Sequence, residues 1–139
     1  MSTLTLRGSL NKNQCLVPFW LQPGNFEGTA VIDTGFQHAA ISDKFLARHG
    51  VTLPTVGECK LTTFGLPKSV YPRVDGTVRF LAVNGAPLQI RRDWCLCDVP
   101  GVDLLIGIDV LRLGRFTLFG PERTWEWSID QITGAWPRL

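Results

Sequence analysis

Apolar and polar positions trade places every few residues along this chain and seldom hold a helical period. Thr3 to Arg7 alternates, and Cys15 to Leu21 is apolar and aromatic, so two early strands are expected. Pro23-Gly24-Asn25 is a turn signal, and Gly28 to Asp33 is a short apolar run that suits a buried strand. Thr34-Gly35 ends that run sharply, and Ala39 to Ile41 reads as a further short strand. Ser42 stands where a helix N-cap belongs, with Asp43 in the first turn and the helical stretch Lys44 to His49 behind it. Gly50 follows at the place of a C-terminal glycine.

In the second half, Cys59 to Phe64 and Ser69 to Val83 read as strands joined through Gly65-Leu66-Pro67-Lys68, a hairpin with a glycine-containing tip. The Asn84-Gly85 turn leads to two strands, Pro87 to Ile90 and Trp94 to Val99. Asp103 to Gly107 is another buried strand, followed by a short helix from Ile108 to Leu113. Arg115 to Phe119 and Thr124 to Ile129 form a hairpin around Gly120-Pro121-Glu122-Arg123, with Trp125 and Trp127 on one inward face. The pattern predicts an all-β fold with one or two short helices.

Composition bounds this picture. With 139 residues, 45% apolar and 10% aromatic, the chain has the size and side chains for one domain with a core. A single domain over 1–139 is expected, with residues 1–13 as an N-terminal strand or an extension. Fourteen Gly and nine Pro fit many turns and argue against long helices. Fourteen basic against twelve acidic residues give a net charge of +2, too even to suggest a nucleic-acid partner. The apolar stretch Val102 to Leu113 is interrupted by Asp103, Asp109 and Arg112, so no membrane span is expected. The start MSTLTLRGSL lacks the basic and apolar regions of a secretory leader, which points to the cytoplasm.

In that compartment the four cysteines, Cys15, Cys59, Cys95 and Cys97, are expected as reduced thiols. Cys95 and Cys97 would share one face of a strand. Neither Cys-x-x-Cys nor a His pair occurs, so no metal site is expected.

Candidate chemistry centres on Ala30-Val31-Ile32-Asp33-Thr34-Gly35. A carboxylate directly after a buried apolar strand is costly unless it is satisfied or used. Thr34 can donate and accept hydrogen bonds, and Gly35 permits close backbone approach. Taken alone, the tripeptide is also an ordinary strand-ending turn. Further on, Asp103-Leu104-Leu105-Ile106-Gly107 repeats the theme of an apolar strand ending in glycine, and Ile108 to Leu111 follows as a short helix.

In this order, from Gly28 to Phe119, the segments resemble the retropepsin-like aspartic proteases, above all their single-domain bacterial branch. The resemblance implies a closed β-barrel protomer that acts as a homodimer, because one chain carries one Asp-Thr-Gly and a two-fold axis supplies the second. The two Asp33 carboxylates would share a proton, activate water and protonate the leaving group, with no cofactor and no metal. Thr34 would bond across the dimer, and Gly35 and Phe36 would meet the substrate. Phe64 to Lys68 would be a flap, with Phe64, Gly65 and Leu66 over an extended peptide. Ile106 and Gly107 would support the catalytic loop from beneath. The same resemblance leaves a rival reading, a catalytically silent or partner-dependent dimeric peptide-binding module.

Two departures from the family pattern matter. Phe36 stands where many relatives have Ser or Ala, and it cannot hydrogen-bond the carboxylates, so a higher-titrating pair is expected. Ile108 replaces an Arg usual in retroviral members, so the dimer would be held differently, through the N-terminal strand or the Trp-bearing hairpin. Elsewhere, His38 lacks a visible partner and reads as a bystander, and His49 as a favourable charge at a helix end. Asp43, Asp103 and Asp109 read as helix-start or turn acids, with loop anchoring a second reading for Asp109, and Arg91-Arg92 reads as a solvated strand or turn.

Overall fold

The computed structural model describes residues 2–61 and 70–131. In chain order its elements are β1 Ser2–Asn11, β2 Gln14–Leu21, β3 Phe26–Ile32, β4 Ala39–Ile41, α1 Asp43–Arg48, β5 Thr55–Lys60 and β6 Val70–Leu81. They continue with β7 Pro87–Leu96, β8 Leu104–Ile106, α2 Ile108–Leu111, β9 Gly114–Phe119 and β10 Thr124–Gln131. The strands run in the order β5-β6-β7-β4-β8-β3-β2-β1-β10-β9. A second pairing of β2 with β6, Trp20 opposite Arg79 and Leu21 opposite Val78, closes β6, β7, β4, β8, β3 and β2 into a six-stranded barrel.

Strand alternation fills the barrel. In β2, Cys15, Val17, Phe19 and Leu21 point inward while their neighbours are partly or fully exposed. Phe80, Leu88, Ile90 and Trp94 meet them from β6 and β7, and Trp125 and Trp127 extend the same core from β10. The short strands β4 and β8 and the end of β3 differ, because both of their faces are covered. Ala30, Ile32, Ala39, Ile41, Leu104 and Ile106 face the main core, whereas Val31, Ala40 and Leu105 join a smaller one with Phe36, Cys59, Tyr71, Cys95 and Cys97. Burial on two faces explains why these segments read as continuous apolar runs.

Helix α1 is capped as its sequence suggests, with Ser42 Oγ accepting from the Phe45 amide at 3.3 Å. Gly50 follows in the left-handed region at φ +65°. Beside the barrel, β1 pairs with β10 along nearly its whole length and touches β2 only at Leu10 and Asn11. Ser2–Asn11 is thus a strand of the sheet. Among the described residues no helix is long and apolar enough to cross a membrane.

Two expectations are corrected. The predicted strands Pro87 to Ile90 and Trp94 to Val99 are one strand, β7, paired with β6 from Leu81–Pro87 to Arg73–Cys95. Its middle holds Arg91-Arg92, which is not a solvated pair. Arg91 faces outward and forms a fork with Asp75 at 2.9 and 3.2 Å. Arg92 lies on the inward face between Ile90 and Trp94, is 4% exposed, and stacks 5.5 Å from the Trp94 ring centroid. A long aliphatic stem and a planar head make such a position tolerable for Arg, which breaks the apolar pattern without breaking the strand.

Second, the thiols are not all reduced. Cys59 and Cys95 form a disulfide, while Cys15 and Cys97 are free and buried. β5 and β7 flank β6, and the barrel's curl brings the two Cα atoms to 5.9 Å, inside the range a disulfide spans.

Candidate active site

Asp33 follows directly on β3 where the parallel pair β3–β8 ends. Ala30, Val31 and Ile32 sit beside Leu104, Leu105 and Ile106, and the Asp33 amide extends the ladder by donating to the Ile106 carbonyl at 2.9 Å. The chain then turns, with the Phe36 amide donating to the Asp33 carbonyl at 3.2 Å. Within the turn, the Gly35 amide donates to Asp33 Oδ1 at 2.9 Å. The backbone of Asp33 is therefore fixed by the barrel, and its carboxylate is exposed with one oxygen oriented by its own loop. Thr34 and Gly35 are exposed beside it.

Phe36 turns the other way. It is 5% exposed, packs into the smaller core and meets the His38 ring edge-on at 6.1 Å. Phe64, Gly65 and Leu66, with the rest of the expected flap, lie outside the described residues.

Beneath this loop, Ile106 is buried in the main core and Gly107 is pressed against backbone. A Cβ at Gly107 would come within 1.8 Å of the His38 carbonyl oxygen and 2.4 Å of that of Phe36. Only glycine fits, which gives the apolar-Gly motif a steric cause. The start of α2 is tied to the same loop by backbone bonds: the Ile108 amide donates to the Phe36 carbonyl at 2.8 Å and the Asp109 amide to that of Gln37 at 3.1 Å. These bonds need no side chain, so Ile108 in place of Arg leaves the loop anchored within the chain.

Asp109 adds a side-chain anchor. Its Oδ2 lies 3.6 Å from His38 Nδ1 and 3.6 Å from the Arg92 guanidinium. Burial pushes the Arg92 guanidinium below its usual range, and the Asp109 charge opposes that shift. The other acids are local stitches: Asp103 accepts from the Thr29 amide at 3.0 Å and from Arg48 at 2.9 Å. His49 lies between the rings of Phe26 and Phe45, with centroids 5.1 and 4.8 Å away, so packing accounts for it.

One cluster escaped the sequence. A ring nitrogen of His38 and the sulfurs of Cys59 and Cys95 lie within 4.8 Å of one another. Twenty-one residues separate His38 from Cys59 and thirty-six more lead to Cys95, so no short spacing announces it; only the barrel's closure brings them together.

Comparison with known proteins bears on the fold. No protein-family model matches the chain, and no curated protein matches it. Among solved structures it is similar to a retropepsin-like aspartic protease from Rickettsia conorii, with a TM-score of 0.60 and 16% identity over 92% of each chain. It is also similar to the retroviral protease-like domain of Ddi1 from Leishmania major, with a TM-score of 0.51 and 18% identity over 78% of this chain and 81% of that one.

Proposed function

On the premise of this retropepsin-like fold, we propose that the chain is a homodimeric aspartic endopeptidase whose active site is built from two copies of Asp33. The observation that carries the reading is the exposed Asp33 carboxylate at the end of the β3–β8 seam, with its main chain tied to Ile106 and one oxygen held by Gly35. A single chain presents one such carboxylate in an Asp-Thr-Gly loop, and a two-fold axis beside it gives the second.

In that dimer the two carboxylates hold one proton between them, because two like charges so close do not both ionise. The ionised one takes a proton from a water that attacks the peptide carbonyl. The protonated one gives its proton to the forming tetrahedral centre, and proton return to the nitrogen releases the amine. Both proton transfers come from Asp33 and its mate, so the scheme needs no cofactor. Thr34 bonds across the two-fold axis, and the exposed Gly35 backbone meets a peptide bound in extended form as an added strand.

The test is cleavage of a panel of unfolded proteins across pH by the wild type and Asp33→Asn, with association state followed by sedimentation. Cleavage by the wild type that disappears in the variant while the dimer persists supports the reading. A wild-type dimer that binds peptides without cutting them at any pH replaces it with the silent binding module.

A further inference from the structure

The cluster of His38, Cys59 and Cys95 has the donor set of a soft-metal site, since thiolate and imidazole suit zinc. We propose that this chain carries a redox-gated zinc site in which His38, Cys59 and Cys95 bind one Zn²⁺ when the disulfide is reduced and none when it is closed.

Three observations support it. The ligand atoms already lie within 4.8 Å of one another, and around a tetrahedral Zn²⁺ they would stand about 3.5 Å apart. Reaching that arrangement asks the two sulfurs to part and the imidazole to close by roughly an ångström. The imidazole also has a carboxylate neighbour of the kind that supports metal-bound histidines, Asp109 Oδ2 at 3.6 Å from its Nδ1, which a small shift would bring to hydrogen-bond distance. Finally, the local charges balance: two thiolates offset the ion, and Arg92 offsets Asp109.

The chemistry closes as follows. A dithiol reductant attacks the Cys59–Cys95 bond, leaves as its own disulfide and gives two protein thiols. Zn²⁺ then displaces the two thiol protons to solvent, forms two Zn–S bonds and one Zn–N bond, and keeps a water in its fourth position. Both sulfurs are buried, but His38 is partly exposed and gives the ion a way in. The site joins the end of β5 to the loop five residues past Asp33, and it stands whether or not that loop cuts peptides.

The experiment titrates Co²⁺ into phosphine-reduced and into oxidised protein, reads the visible spectrum, and then displaces Co²⁺ with Zn²⁺. Expected are one Co²⁺ per reduced chain with thiolate charge-transfer and tetrahedral ligand-field bands, and no bands in the oxidised chain. Cys97→Ser should keep the bands, and Asp109→Asn should weaken binding about tenfold. His38→Ala, which leaves the disulfide and the folded core untouched, should weaken it at least tenfold and so serves even if cysteine variants fold poorly. A reduced wild type without these bands overturns the proposal. So does unchanged affinity in His38→Ala, or a Cys97→Ser variant that loses the bands.

Discussion

The amide of Asp33 donates to the carbonyl of Ile106 at 2.9 Å, across a seam whose two strands are parallel and buried on both faces. The barrel thus holds the main chain of the candidate catalytic residue and leaves its side chain free of the core. Asp33→Asn keeps the oxygen that accepts from Gly35, so stability should change by no more than about 0.5 kcal/mol. Peptide cleavage should fall by roughly 10²–10⁴-fold, the usual share of an acid–base group. Chemical denaturation and single-substrate kinetics check the two halves separately, and a variant that cuts at the wild-type rate would remove Asp33 from the mechanism.

Gly107→Ala should be much worse for folding than its size suggests. The new methyl would meet two carbonyl oxygens at 1.8 and 2.4 Å, and backbone gives way only by moving the loop after Asp33. A loss of about 3 kcal/mol in urea unfolding is expected. Gly50→Ala, at φ +65° with open space around it, should cost about 1 kcal/mol and is the control for conformation alone.

The Arg92–Asp109 contact should behave as a coupled pair. Asp109→Ala leaves a buried guanidinium short of its counter-charge, and about 2 kcal/mol should be lost. Combining it with Arg92→Met should recover part of that loss, with a coupling above about 0.5 kcal/mol in a double-mutant cycle. Strict additivity of the two substitutions would show that the charges do not act on each other.

Cys97 predicts a pH dependence. Burial, with help from Asp43 and Asp98, pushes its thiol up to about 11 from an ordinary 9.0. The folded chain therefore holds this proton over a range where the unfolded chain has released it. Stability from this group is complete below pH 9 and drains away as pH rises towards 11, by roughly 2 kcal/mol. The slope of unfolding free energy between those values should be shallower in Cys97→Ala. An equal slope in both proteins would count against the buried thiol.

Reduction of Cys59–Cys95 should destabilise the metal-free chain by about 4 kcal/mol, because the bridge closes a loop of 36 residues. Thermal melts with and without reductant, in the presence of a chelator, measure it. If the two midpoints coincide, the bridge constrains nothing that unfolding releases.

Much of the barrel was legible because alternation is a local signal. The strands β2, β3, β4 and β8 and the Ser42 cap could be placed from neighbouring residues alone. The two charges Arg91-Arg92 hid the continuity of β7, since the buried Arg is made acceptable by Trp94 on the same strand face and by Asp109, which the linear sequence does not put beside it. The disulfide and the His38 cluster were invisible for the same reason: both depend on β5, β7 and the loop after Asp33 meeting in space. For the candidate site, the Asp-Thr-Gly loop and the apolar-Gly motif were readable from pattern. The inward packing of Phe36 and the steric need for Gly107 became visible only with their neighbours.

Pairing of β1 with β10 sets Thr3 opposite Asp130 and Leu6 opposite Trp127, so β1 waits for β10 to be made before it can pair along its length. On the ribosome, β1 has its short pairing with β2 and the bond from the Val83 amide to the Thr5 carbonyl until β10 emerges. Asp33 likewise has no Ile106 carbonyl to bond until more than seventy further residues have been added. A nascent chain thus cannot present the Asp33 carboxylate in the finished geometry before β8 has been made.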